Sequence, residues 1–176
     1  YFFNGGREEP FPGEERMLIP SPQDVPTYDL KPEMSVYEVT RILEQEWSKG
    51  VYSLVVCNFA NLDMVGHTGN FSATVAACEA VDECLGRVKK AVLDTGGRML
   101  VTADHGNAES MLDPQGGVQT AHSHNPVPFV RVEAGLEGSC LRSTGILGDI
   151  APTILDLWGM DQPREMTGHS LQLKNL

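Results

Sequence analysis

The sequence is short of cysteine: four residues, at 57, 78, 84 and 140, with no CxxC pair among them. That spacing speaks against a zinc ribbon or a thioredoxin-type redox pair. It predicts buried or half-buried free thiols in a reducing compartment rather than a disulfide framework. Positive charge is scarce too. Lys and Arg number 13 against 24 Asp and Glu, for a formal net charge of −11. This balance argues against a nucleic-acid backbone or an anionic membrane as the main partner and is compatible with cation binding. No apolar run approaches the roughly 18 residues of a membrane span. There is no internal repeat and no low-complexity segment. Position 1 lacks Met: a chain that opens Tyr1-Phe2-Phe3 is expected to be a piece of something longer.

What is there belongs to the globular range: 176 residues, 41% hydrophobic and 21% charged, enough for one domain with a real core. Residues 1–33 carry six of the eleven prolines and read as extended connector, with Tyr1–Phe3 as the end of a short strand. Ser35 with Glu38 has capping-box spacing and opens a helix whose stripe is Val39, Ile42, Leu43 and Trp47, stopped by Gly50. Val51–Phe59 reads as a buried strand. A second helix is expected from about Ser72 to Val92, with Val75, Cys78, Val81, Leu85, Val88 and Val92 on its inner face. Met99–Thr102 and Val127–Val132 read as short strands. Asp149 is expected to cap a third helix with Ile154, Leu155 and Trp158 inward and Gly159 at its stop. Trp47 and Trp158 are both expected in the core. Helix and strand alternate, so the fold class is α/β, a mostly parallel sheet flanked by helices. Only three or four strands are visible, few for a sheet covered on both faces, which predicts an incomplete fold.

Three loops collect the metal-ligand chemistry, and four of the five histidines lie in them. The first, Asn61–Gly69, follows the Val51–Phe59 segment and holds Asp63 and His67. Four apart, they would share one face of a helix; Gly66 and Gly69 weaken that reading, and a tight loop could equally aim both at one ion. The second, Thr102–Asn107, leaves the carboxyl end of the next strand with adjacent Asp104 and His105, the edge at which open α/β sheets bind ligands. The third, Thr120–Pro126, holds His122 and His124, and the long loop Met111–Thr120 must carry them back to the site. Carboxylate with imidazole suits Mn²⁺, Zn²⁺ or Fe²⁺. Two aspartates and three neutral imidazoles leave two divalent ions with surplus positive charge, as a phosphate ester requires, so a two-metal site for phosphoryl or sulfuryl chemistry is the natural reading. His169 near the end reads as a surface or capping residue.

At these loops the sequence closely resembles the cofactor-independent (2,3-bisphosphoglycerate-independent) phosphoglycerate mutases of the alkaline phosphatase superfamily. The likeness rests on Phe2–Glu9, Pro12–Arg16, Asn61–Gly69, Thr102–Glu109 and Ala121–Pro128, with the helix start Asp149–Thr153, and it covers essentially the whole chain. It implies an alkaline-phosphatase-like α/β fold, of which residues 1–176 would be the C-terminal part of the metal-binding domain. It also implies an isomerase that interconverts 3-phosphoglycerate and 2-phosphoglycerate in glycolysis through a phosphoserine, with two Mn²⁺ ions. By family match Asp63, His67 and His122 hold one ion, and Asp104 and His105 hold the other. Where the family usually has Thr, this chain has His124, so His122 is the better-matched ligand. The nucleophilic serine, a further aspartate and the substrate-gripping domain would lie outside this chain, which predicts that the piece alone is inactive. The partner implied is a small phosphorylated three-carbon acid, with no nucleic acid and no membrane. A cytoplasmic setting is implied, with a monomeric parent and a piece that self-associates through apolar surface left open. The alternatives are another enzyme of the superfamily, a phosphopentomutase, phosphatase or sulfatase, or a non-catalytic metal-binding module; the opening Asn4–Arg16 favours the mutase.

Overall fold

The computed structural model describes residues 2–136 and 141–173; Cys140 lies outside them. The chain forms two compact units, one from the residues up to Gly97 with His105–Pro126, the other from Arg98–Asp104 and from Val127 onward.

The first unit is helical. It contains α1 (Val36–Trp47), α2 (Asn61–Gly66) and α3 (Phe71–Asp94). Asn70 caps α3, its side chain accepting from Ala73 N at 3.2 Å. At the other end Gly97 N donates to Val92 O and Gly96 N to Leu93 O, with Gly96 at φ +71°. This is a Schellman stop, and it needs a residue that tolerates a left-handed backbone. The buried face of α3 is Ala73, Thr74, Ala77, Ala80, Cys84, Val88 and Val92. Val88 and Val92 are where the periodicity puts them. Val75 and Cys78 instead face outward and are exposed. Small side chains decide the face: α1 and α2 both pack against α3, and alanines let two helices approach at once where valines would hold them off.

Around this face sit two packed groups. Met34, Val65, Ala73 and Ala77 form one, with Tyr28, Ala60 and Leu62 against it. Val36, Ala80 and Cys84 form the other, with Phe59 and Val81. Met34 has φ +45°, a backbone state that bulky residues rarely adopt. The buried Asn61 fixes the turn before it, donating from Nδ2 to Pro32 O and Glu33 O, both at 2.8 Å. The expected capping box on α1 does not form. Ser35 Oγ donates to Pro20 O at 2.7 Å, and Glu38 pairs with Arg41 at 2.7 Å. Trp47 is half-buried and its Nε1 donates to Thr95 Oγ1 at 2.9 Å, tying the ends of α1 and α3 together.

Residues 4–27 carry no helix or strand beyond the end of a 3-10 turn, Phe2–Asn4, which stands where a strand end was expected. Val51–Phe59 is not in a ladder. It runs between α1 and α2 without strand pairing among the described residues, and Val51, Leu54 and Val56 are 69%, 49% and 56% exposed. A strand is a pairing and not a property of one segment, so Val-rich composition produces none here. Cys57 is likewise exposed and Cys84 buried; all three described cysteines are free thiols.

The second unit holds β1 (Met99–Thr102) and β2 (Phe129–Val132), paired antiparallel with Met99 opposite Val132 and Thr102 opposite Phe129. The α/β class stands, but this ladder is antiparallel where a mostly parallel sheet was expected. A parallel pair needs a crossover, usually helical, and no helix is described between Ala103 and Pro128. Helix α4 (Ile150–Leu157) buries Pro152 and Thr153, ends at Gly159 with φ +69°, and leaves Trp158 45% exposed instead of inward. Asp149 stands at its N-cap position, as expected, but makes no side-chain capping bond to it. Its buried carboxylate accepts from His169 N at 2.8 Å, Ile146 N at 3.0 Å and Arg142 Nη2 at 3.2 Å. These contacts, His169 N first, hold the Asp149 carboxyl below its ordinary range. His169 itself is exposed.

Two outcomes follow from this packing. Thr40 is fully buried on α1 and its hydroxyl has no hydrogen-bond partner among the described residues. Thr40→Val keeps the shape and removes the unpaired group, so it should stabilise the protein by about 1 kcal/mol; a lower denaturation midpoint contradicts this. For Asp149, a depressed folded-state pKa means that the unfolded chain takes up the proton first as pH falls. Its stabilisation is present at neutral pH and drains away below about pH 4. Asp149→Asn should lower stability at pH 7 and flatten the acid limb of a thermal-melt series.

Candidate metal centre

Asp63 and His67 come from α2 and its C-terminal cap, so the helical reading of their spacing is the one realised. Gly66 is tolerated because the helix must pass close to Asn107: a side chain at Gly66 would run into the Asn107 carboxamide. Gly69, at φ +72°, closes the turn after α2, where a Cβ would meet Val118 and Thr120.

The loop from Met111 to Gln119 folds back on itself as a small hairpin. Gln119 N donates to Met111 O and Asp113 N to Gly117 O, both at 2.8 Å. Asp113 Oδ1 accepts from Gln115 N at 2.9 Å and Gly117 N at 2.7 Å. The return brings Ser123 beside Gly106, with Ser123 N donating to Gly106 O at 2.8 Å. His105 and His122 therefore stand next to each other, their rings stacked with centroids 3.7 Å apart.

Four donors converge in this first unit. His67 Nε2 lies 3.1 Å from Asp63 Oδ1 and 3.0 Å from His122 Nε2, and His122 Nε2 lies 3.1 Å from the same oxygen. His105 Nε2 is 3.9 Å from Asp63 Oδ1. Ligand atoms of Asp63, His105 and His122 all lie within 4.8 Å of one another. The His67 tautomer follows from its neighbour: Nδ1 donates to Thr120 O at 2.6 Å, and a carbonyl can only accept. Nε2 of the neutral ring then carries a lone pair, aimed at a carboxylate oxygen and a second imidazole. Asp63 Oδ1, His67 Nε2 and His122 Nε2 stand about 3 Å apart, and one cation between them could be held by all three, so this donor set fits a divalent metal ion.

Further residues shape the site that ligand spacing alone did not single out. Asn107, buried, donates from Nδ2 to Asp63 Oδ1 at 3.2 Å, while its Oδ1 has no hydrogen-bond partner among the described residues. Glu109 accepts from Asn107 N at 2.7 Å, from Asn125 Nδ2 at 2.9 Å and from Ser123 Oγ. These donors, Ser123 foremost, bring its carboxyl down to about 2. The available signal was the position of Glu109 four residues past His105. Of the five expected ligands, Asp63, His67, His105 and His122 are brought together; Asp104 falls in the second unit. His124 is exposed and stands outside the group of mutually close donors.

The whole sequence agrees with this chemistry when set beside known proteins. It is 63% identical to the 2,3-bisphosphoglycerate-independent phosphoglycerate mutase of Nitratidesulfovibrio vulgaris over 97% of this chain and 33% of that protein. The enzyme of that name from Thermomicrobium roseum is 58% identical, again across 97% and 33%. A crystal structure of Leishmania mexicana phosphoglycerate mutase at low cobalt concentration superposes with a TM-score of 0.88 and 33% identity, covering 99% of this chain and 35% of that one. The chain thus spans about a third of the length of the relatives it matches. Residues 1–162 match the family model described as Metalloenzyme superfamily. That match covers most of the chain and the carboxylate and imidazoles gathered here suit it, and the chain belongs to the Metalloenzyme superfamily.

Proposed function

We propose that the protein carrying this chain is a phosphoglycerate mutase, an isomerase that moves a phosphoryl group between the 3- and 2-hydroxyls of glycerate by way of a serine outside this chain. One observation carries the reading: Asp63 Oδ1, His67 Nε2 and His122 Nε2 lie within 3.1 Å of one another on segments that also match named mutases. Asp63, His67 and His122 would hold one divalent ion, and Asp104 with His105 a second; manganese suits the carboxylate-imidazole set. Bound there, the ions supply positive charge toward the anionic phosphoryl group.

The chain's own residues prepare that chemistry. Thr120 O keeps the His67 lone pair turned to the site, and the Asn107 amide holds the Asp63 carboxylate. The four donor side chains are between 27% and 49% exposed, open enough for a small phosphorylated acid to reach them. Cytoplasmic glycolysis is the setting that belongs to this activity. Among the described residues no helix is long and apolar enough to cross a membrane.

Asp63→Ala and His122→Ala in the complete protein should each lower metal content and cut kcat/KM for 3-phosphoglycerate by at least about a hundredfold. If metal content is the same in both variants as in the unmodified protein, the ligand assignment is wrong. Chelation should abolish interconversion and added Mn²⁺ should restore it. The 176-residue chain by itself, lacking the serine, should bind metal and leave the two phosphoglycerates unexchanged; interconversion at full rate would contradict the proposed division of roles.

A further inference from the structure

Glu109 has hydrogen-bond partners that lie next to three of the four donors. Its Oε2 accepts from the backbone N of Asn107, whose side chain in turn holds Asp63. Its Oε1 accepts from Ser123 Oγ and from Asn125 Nδ2 at 2.9 Å, on the loop that carries His122. Between these lies Gly106, joined to Ser123 by a backbone bridge. A Cβ at Gly106 would collide with both Ser123 Oγ and the Glu109 carboxylate. Gly106 follows His105 directly, so the close approach that glycine permits is the approach that stacks His105 on His122.

The chemistry of the carboxylate suits this place. It is acceptor-only when ionised, with lone pairs enough for three donors at once. A backbone N–H, a hydroxyl and a carboxamide from two loops can all be served by it, and by no neutral side chain of that length. Contacts to an ionised acceptor are also the stronger kind. Glu109 is exposed, so burial does not fix it; the three donors do.

We propose that Glu109 is a positioning residue for the metal centre, a carboxylate clasp that sets the spacing of His105 and His122 and, through Asn107, the orientation of Asp63. The inference rests on the metal reading above. Outer residues of this kind typically govern metal affinity over a range of roughly 10–100-fold.

The test uses the complete protein, stripped of metal and titrated with Co²⁺, whose visible absorption reports both affinity and ligand geometry. Glu109→Ala should weaken cobalt binding by roughly 10–100-fold and alter the absorption band. Ser123→Ala, on the other loop, should lose part of that factor, and the double variant should lose no more than Glu109→Ala alone, as residues of one network do. If Glu109→Ala does not fold, Glu109→Gln carries the test. It cannot accept from all three donors and should bind several-fold more weakly. Wild-type affinity and spectrum in Glu109→Ala or Glu109→Gln, or losses that simply add between Glu109→Ala and Ser123→Ala, overturn the inference. Cobalt uptake by the wild type that Asp63→Ala abolishes and Glu109→Ala leaves untouched would overturn it while leaving the metal reading intact. No cobalt uptake by the wild type would overturn both.

Discussion

Three metal-ligating atoms, Asp63 Oδ1, His67 Nε2 and His122 Nε2, are held about 3 Å apart. Much of the first unit's local architecture serves that constraint. A lone pair cannot be aimed without a partner on the far side of the ring, and Thr120 O provides it for His67. A carboxylate left to itself would rotate, and the Asn107 amide limits that. Glycine appears where these groups must crowd: Gly66 under Asn107, Gly106 under Ser123 and Glu109, Gly69 under Val118. Crowding of this kind stabilises nothing by itself. Its value is a donor set arranged before any ion arrives, so that little ordering remains for binding to do.

The seat for this arrangement is α2, only six residues long and too short to be a stable helix alone. It persists because Val65, fully buried, packs with Met34, Ala73 and Ala77, and because Asn61 is bonded to the turn before α1. The alanine face of α3 therefore reaches the chemistry indirectly. It lets α2 lie close, and α2 presents Asp63 and His67 one turn apart. Enlarging those alanines would act on the site through α2, without touching a ligand.

The sequence made the candidate donors Asp63, His67, His105 and His122 legible because imidazole and carboxylate have few reasons to gather in three loops. It also placed β1 to the residue, Met99–Thr102, and the Gly50 and Gly159 stops, both at positive φ. Three kinds of information were not local and so could not be read. The face of α3 depended on what packs against it, and the hydrophobicity ranking favoured Val75 and Cys78 over the alanines that fit. The capping box at Ser35 lost its hydroxyl to Pro20 O, fifteen residues away. The role of Glu109 needed Ser123 and Asn125, fourteen and sixteen residues on, to come alongside. In each case a residue did what its chemistry allows, with a partner that spacing could not name.

Val51–Phe59 shows the limit most clearly. Its composition is that of a central strand, yet Val51, Leu54 and Val56 stand exposed with no ladder beside them. β1 and β2 are no richer in apolar residues but have each other across a four-residue register. Backbone pairing is thus what separates the two cases, since side chains favour a strand only once another strand offers its N–H and C=O groups. Apolar side chains held in water along an extended, unpaired backbone are a cost that packing within the described residues does not offset. The metal donors avoid this difficulty. Thr120 O beside His67 and the Asn107 amide beside Asp63 lie in the same unit as the donors they hold, and the neighbouring extended segment has no such pairing among the described residues.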